Sequence, residues 1–186
     1  MKIYGSFTSP FVRHCRIALL ETNLACEFIE TDAAHSAKLS PTKKVPLLVD
    51  DDLILTDSSS ILKYIREKAG LHFFAEINDF ELFNMTNTVL DACVNIFLLE
   101  SFDGIKLSDS KYLQRQNGRV LSGLKALNSA VLATQLPLTE GQLRLACFLD
   151  WGLYRNRIDL FELDNLSKLL VLAKKDKYFA DTAPES

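Results

Sequence analysis

The stretch 43–64, K-K-V-P-L-L-V-D-D-D-L-I-L-T-D-S-S-S-I-L-K-Y, constrains the fold more than any other part of the chain. It reads as two short apolar strands, 46–49 and 53–55, joined by a turn of three aspartates, residues that tolerate the backbone angles of a tight reversal. A helix follows at once, with Asp57 or Ser58 as its N-cap and Ile61, Tyr64 and Ile65 on one face. Two backbone features here suit a ligand. Pro46 has no N–H and opens its strand, which holds Val45 extended. With a cis Val45–Pro46 bond, Val45 would offer its N–H and C=O to an extended peptide. The helix start at Asp57-Ser58 carries free N–H groups and the positive end of the helix dipole, which suit a carboxylate. Taken singly each feature is ordinary, since V-P before a strand and D-S-S-S as a cap cluster are both common.

The preceding residues supply partners for this hairpin. Residues 2–7 alternate as a first strand ending in a polar turn. From Pro10 the run P-F-V-R-H-C-R-I-A-L-L-E is helical, with proline in the first turn and Ser9 at the capping position. Val12, Cys15, Leu19 and, less regularly, Ile17 fall on its core face, whereas Arg13 and Arg16 read as solvated or paired and not as catalytic. A second strand over 26–31 and a short helix over 33–39 complete the order βαβα-ββα, and Gly70 stands where a helix C′ residue should. That order predicts an α/β thioredoxin-like domain over 1–72, with parallel pairing in the strand–helix–strand unit and an antiparallel edge from the D-D-D hairpin.

Beyond residue 71 the pattern changes to helices alone, over 77–102, 110–133, 139–155 and 163–173, which predicts an all-α bundle spanning 77–175. Val131 continues the apolar series of the second of these. Residues 176–186 read as a polar tail that frays. In L-P-L-T-E-G-Q-L, Thr139 caps a helix with Gln142 as its capping-box partner and a Leu138–Leu143 staple, a structural device with no chemistry assigned. Trp151 and Tyr154 read as core.

Composition removes other functions. A net charge of −3 with no basic block gives no footprint for nucleic acid. The first residues hold no apolar run suited to a signal peptide or a membrane span. Cys15, Cys26, Cys93 and Cys147 are widely separated, without C-x-x-C, and His14, His35 and His72 show no ligand spacing, so no metal is expected. Free buried thiols fit a reducing, cytoplasmic setting.

The order V-P, hairpin, D-S and I-x-x-Y-I, preceded by the turn S-F-T-S-P-F-V-R, resembles the glutathione-binding half of glutathione transferases. S-P-F-V-R looks like their serine-type members, including the tau class and several bacterial groups. The resemblance implies that Val45, before Pro46, pairs with the cysteinyl backbone of glutathione and that Asp57 and Ser58 receive its γ-glutamyl end. Lys44 matches a basic residue used on the glycyl carboxylate, and Phe11 joins the same site. Ser9 would donate a hydrogen bond to the glutathione sulfur, with Ser6 and Thr8 as the alternative hydroxyls, although Ser9 is equally an ideal helix cap. The demand is modest, because bringing a thiol from about 8.5 to about 6.5 requires roughly 2.7 kcal/mol of thiolate stabilisation. The implied protein is a cytosolic, homodimeric glutathione transferase that adds the thiolate of its co-substrate glutathione to a small apolar electrophile. A glutathione-dependent isomerase or dehalogenase and a non-catalytic binding or regulatory protein of the same fold are the alternatives. A thiol reductase fits less well, since position 9 is not Cys. The helical half matches only in outline, and L-H-F-F-A-E replaces a proline-rich linker.

Overall fold

Four strands, β1 (Lys2–Gly5), β2 (Glu27–Glu30), β3 (Leu47–Asp50) and β4 (Leu53–Leu55), form one sheet in the order β2-β1-β3-β4 in the computed structural model, which describes residues 1–184. β1 and β2 are parallel, while β3 runs antiparallel to both β1 and β4. Three helices belong to this sheet: α1 (Pro10–Thr22), α2 (Ala33–Leu39) and α3 (Ser58–Lys68). The architecture is thioredoxin-like, followed by helices alone.

The first core is built where the sequence periodicity places it. Val12, Cys15, Ile17 and Ala18 of α1 and Ile61, Leu62 and Ile65 of α3 are fully buried, as are Ile3 and Leu48 of the sheet. Gly5 sets how closely α1 approaches β1: a Cβ there would lie 2.5 Å from Cγ1 of Val12. Asp50, at the end of β3, ties α3 to the sheet by accepting from Tyr64 Oη at 2.5 Å and from Lys68 Nζ at 2.5 Å. Those two hydrogen bonds, Lys68 first, hold its carboxyl down to about 2 and push the Lys68 ammonium up. A carboxylate with a depressed folded pKa contributes stability that is fully present above its unfolded value of about 3.9 and is lost as pH falls through the folded one. Thermal midpoints followed from pH 5 to pH 2 should therefore fall more steeply in the wild type than in Asp50→Asn. Parallel slopes would show that the network contributes nothing.

The chain divides into two compact units, one comprising Met1–Ala75 together with the chain from Lys174 onward, the other Glu76–Ala173. Residues 176–186 are thus not a frayed tail over their described part. They form α8 (Lys177–Asp181), capped by Asp176 through the Phe179 N–H at 2.9 Å, with Phe179 and Thr182 buried. Both lie within a run whose average composition is polar, and such an average hides them. The last two residues of that run lie outside the described ones.

The second unit holds α4 (Ile77–Phe102), a single 3-10 turn (Leu107–Asp109), α5 (Lys111–Asn128), α6 (Glu140–Tyr154) and α7 (Asp164–Ala173). α4 is long and apolar enough to cross a bilayer, yet here it packs on α5 and α6 as a core helix. Trp151 is core, meeting Phe97 edge-on at 5.8 Å, while Tyr154 is half-buried. α5 stops at Asn128 and not at 133, leaving Val131 almost fully exposed. The reason is local. Asn128 Oδ1 accepts from the N–H groups of Asn165 and Leu166 at 3.0 and 3.2 Å, so one asparagine ends α5 and supplies the first donors of α7 with an acceptor.

Candidate functional site

Strand register brings three turns to one end of the sheet. β1 leaves that end through Ser6–Ser9, β3 enters it from Val45-Pro46 with Leu47 opposite Tyr4, and β4 returns to it with Leu55 opposite Leu48 before Asp57-Ser58. Segments some 50 residues apart in sequence, Ser9 and Ser58, are thereby set around one end of the sheet. Cys15, in the second turn of α1, donates its S–H to the C=O of Ser58 at 3.9 Å, a direct link from α1 to the start of α3.

Ser9 is the N-cap of α1. Its Oγ accepts from the Val12 N–H at 3.4 Å, at the long end for a cap bond, and its own N–H donates to Ser6 C=O at 3.1 Å. The cap uses a lone pair only. The hydroxyl proton donates to no partner among the described residues, so capping and donation to a ligand are compatible in one side chain. The neighbouring hydroxyls are differently placed: Ser6 Oγ and Thr8 Oγ1 bond each other at 3.1 Å, and Ser6 Oγ also accepts from the Thr8 N–H. α1 has no acidic residue in its first turn, leaving the positive end of its dipole uncompensated there. Phe11, in that turn, is half-buried.

The Val45–Pro46 peptide is cis. Val45 is half-buried, Pro46 buried and Lys44 exposed, and Lys43 before them adopts φ 53°. At the third turn the cap is Asp57 and not Ser58: Asp57 Oδ1 accepts from the Ser59 N–H at 2.8 Å, and Ser58 is the first helical residue, buried.

Several features escape the sequence patterns. Arg13, one turn after Ser9, is 2 % exposed. Arg16 lies over the rings of Phe7 and Phe28 at 4.7 and 5.1 Å, and burial, with Arg13 nearby, lowers its pKa. Three cysteines are buried as anticipated, with Cys93 pushed up to about 12 by burial, but Cys26 is only half-buried. None of the four lies in the three turns. Among the described residues no group of three His, Cys, Asp or Glu side chains could hold a metal ion. The helical unit carries a groove of about 880 Å³ between α5 and the segment after α6, including Leu121, Lys125, Arg157 and Phe161. No residue of the three turns lines it.

A thioredoxin-like domain with these turns, followed by a helical unit, defines a class of fold shared with many solved structures. A glutathione S-transferase of Methylobacillus flagellatus with glutathione bound superposes at a TM-score of 0.85 over 99 % of both chains, with 22 % identity. The family model for the glutathione S-transferase N-terminal domain matches residues 3–73. Among curated proteins, the uncharacterized GST-like protein YibF of Escherichia coli is 41 % identical over 70 residues, 35 % of this chain and 35 % of that protein. A zeta-class glutathione S-transferase of Euphorbia esula is 27 % identical over 140 residues, 68 % of this chain and 62 % of its own length. The matches thus span between about a third and somewhat under two thirds of these relatives. Over residues 3–73, the first domain is thus similar to the N-terminal domain of the glutathione S-transferases.

Proposed function

We propose that this protein binds glutathione across the three turns and transfers its thiolate to a small apolar electrophile in a reducing, cytoplasmic setting. The observation that carries the reading is Ser9: a hydroxyl whose oxygen caps α1 while its proton has no partner among the described residues. In this arrangement the Ser9 O–H donates to the glutathione sulfur beside the N-terminus of α1, and both favour thiolate over thiol. The thiol proton goes to solvent. A sulfur lone pair then forms the S–C bond as the bond to the leaving group breaks and its electron pair departs with that group. Val45 pairs its backbone with the cysteinyl peptide, Ser58 and the first N–H groups of α3 take the γ-glutamyl carboxylate, and Asp57 faces the γ-glutamyl ammonium. Lys44, exposed beside Val45, answers the glycyl carboxylate, and Phe11 completes the wall near Ser9. Glutathione bound to the Methylobacillus enzyme of the same fold supports the choice of ligand.

Ser58→Ala tests the binding half. The cap of α3 is Asp57, so the fold should persist, and loss of a hydrogen bond to a carboxylate should weaken glutathione binding about tenfold or more in calorimetry. Unchanged affinity would remove Ser58 from the site. Turnover against aryl halides, epoxides and disulfides tests the reaction, and a protein that binds glutathione yet turns over none of them would overturn conjugation in favour of a binding role.

A further inference from the structure

A long cation one helical turn from the reacting hydroxyl would ordinarily be solvated, and the first turn of a helix is an unfavourable place for positive charge. Arg13 is nevertheless buried, and its partners come from the far end of the sequence. Its Nη2 donates to the C=O of Phe179 at 2.8 Å, its Nε to Thr182 Oγ1 at 3.4 Å, and its guanidinium stacks on the Phe179 ring at 3.8 Å. Phe179 C=O lies in the last turn of α8, where carbonyls lack helical partners and the dipole is negative, so cation and carbonyl satisfy each other. α8 is itself fixed at both ends, by the Asp176 cap and by Thr182 Oγ1 donating to Tyr178 C=O at 2.8 Å. On the other side, the backbone N–H of Arg13 donates to the C=O of Ser9 at 2.9 Å. The guanidinium is thus anchored to α8 while its main chain holds the residue that carries the hydroxyl. The 3.4 Å cap bond of Ser9 is too long to pin its side chain unaided.

We propose that Arg13 is a positioning residue and that the segment Asp176–Thr182 is a latch that fixes the first turn of α1, and with it the Ser9 hydroxyl, against the glutathione sulfur. The proposal deepens the reading of Ser9 as thiolate donor and rests on it. Phe179 and Thr182 act only through Arg13, so their loss should register in the sulfur's ionisation and not in the hold on the peptide, which Val45 and Ser58 keep.

The test is the thiolate ultraviolet absorbance of the glutathione complex followed against pH, with kcat and KM, in wild type, Ser9→Ala, Arg13→Lys, Phe179→Leu and Ser9→Ala/Arg13→Lys. Arg13→Lys keeps charge but loses the planar fork, and Phe179→Leu keeps an apolar plug but loses the stacked ring; both are mild enough to fold, which circular dichroism checks. Each should raise the bound thiol pKa by about one unit and lower kcat near pH 6.5 about twofold, with the KM for glutathione changed less than about threefold. The double variant should titrate like Ser9→Ala alone, since a displaced hydroxyl and an absent one give the same loss. A shift in Ser9→Ala that Arg13→Lys and Phe179→Leu do not share, even where their melting temperatures fall, overturns the latch and leaves the role of Ser9 standing. No shift in Ser9→Ala overturns both.

Discussion

Replacing Ser9 by alanine should lower the thiolate fraction of bound glutathione about fiftyfold at pH 6.5 and by progressively less as pH rises towards 9. The figure follows from ionisation: if the bound thiol titrates near about 6.5 in the wild type and returns to about 8.5 in the variant, the thiolate fraction at pH 6.5 falls from about a half to about a hundredth. A less stabilised thiolate is the better nucleophile, with a Brønsted slope of about 0.4–0.5, so the two-unit rise returns about six- to tenfold at every pH. Conjugation should therefore slow by only about five- to eightfold at pH 6.5, and the two rate profiles cross as pH rises. Affinity for glutathione should change little, because the peptide is held at Val45 and Ser58. Stability should fall by only about 0.5–1 kcal/mol, at the lower end for an N-cap, since the bond lost is the long one to Val12 N–H. The decisive measurement is the absorbance titration of the complex. Superimposable curves for wild type and Ser9→Ala would reduce Ser9 to a cap, and Thr8 or Ser6 would have to be tested, each released from the bond it makes to the other. Ser9→Cys offers the complementary result, a gain of thiol-reductase activity. The new protein thiolate at the same helix N-terminus would attack a glutathione-containing disulfide, forming a mixed disulfide with glutathione as the other sulfur leaves as thiolate. A second glutathione thiolate would then release it as glutathione disulfide.

Much of the first domain is legible in the sequence because its signals are local. The D-D-D reversal places β4, the S-P pair starts α1, and Gly70, at φ 75°, follows α3 as a C′ glycine. The convergence of the three turns is also legible, but only through order: V-P, hairpin and D-S imply a chain that returns twice to the same end of the sheet. What escapes are partnerships between residues far apart. The choice between Asp57 and Ser58 as cap turns on one backbone bond that both side chains could accept. Arg13 reads as solvated until Phe179 and Thr182, 166 and 169 residues later, are seen to enclose it. The end of α5 depends on Asn128 serving α7, a competition invisible to the periodicity that carries on to Val131. In each case the local pattern is satisfied by two outcomes, and a tertiary partner selects one.

The capping box at the start of α6 follows the same rule and leads to a sizeable stability effect. The reciprocal pair Thr139 and Gln142 is formed, with Thr139 N–H donating to Gln142 Oε1 at 3.4 Å. A third member comes from α4: Asp79 Oδ1 accepts from the Thr139 hydroxyl and from the Gly141 N–H at 3.0 Å. A carboxylate bonded to a backbone donor at a helix N-terminus gains both a charge-assisted bond and the dipole, whereas Gln142 supplies a neutral and long one. Asp79→Ala should therefore cost about 2–3 kcal/mol, against about 1 kcal/mol for Thr139→Ala, which leaves the Gly141 bond in place. Asp79→Asn, which keeps an acceptor, should lie between them. Gly141→Ala attacks the same joint by overpacking, since its Cβ would sit 2.5 Å from the Asp79 backbone oxygen and 2.6 Å from Oδ1, and should cost about 1–3 kcal/mol. Asp79 and Thr139 touch each other, so Asp79→Ala/Thr139→Ala should fall short of additivity. Urea denaturation of the four variants and the double variant measures all of this, and conjugation per folded molecule should be unchanged throughout. Should Asp79→Ala prove no worse than Thr139→Ala, the box itself would carry the helix start and the α4 carboxylate would be incidental.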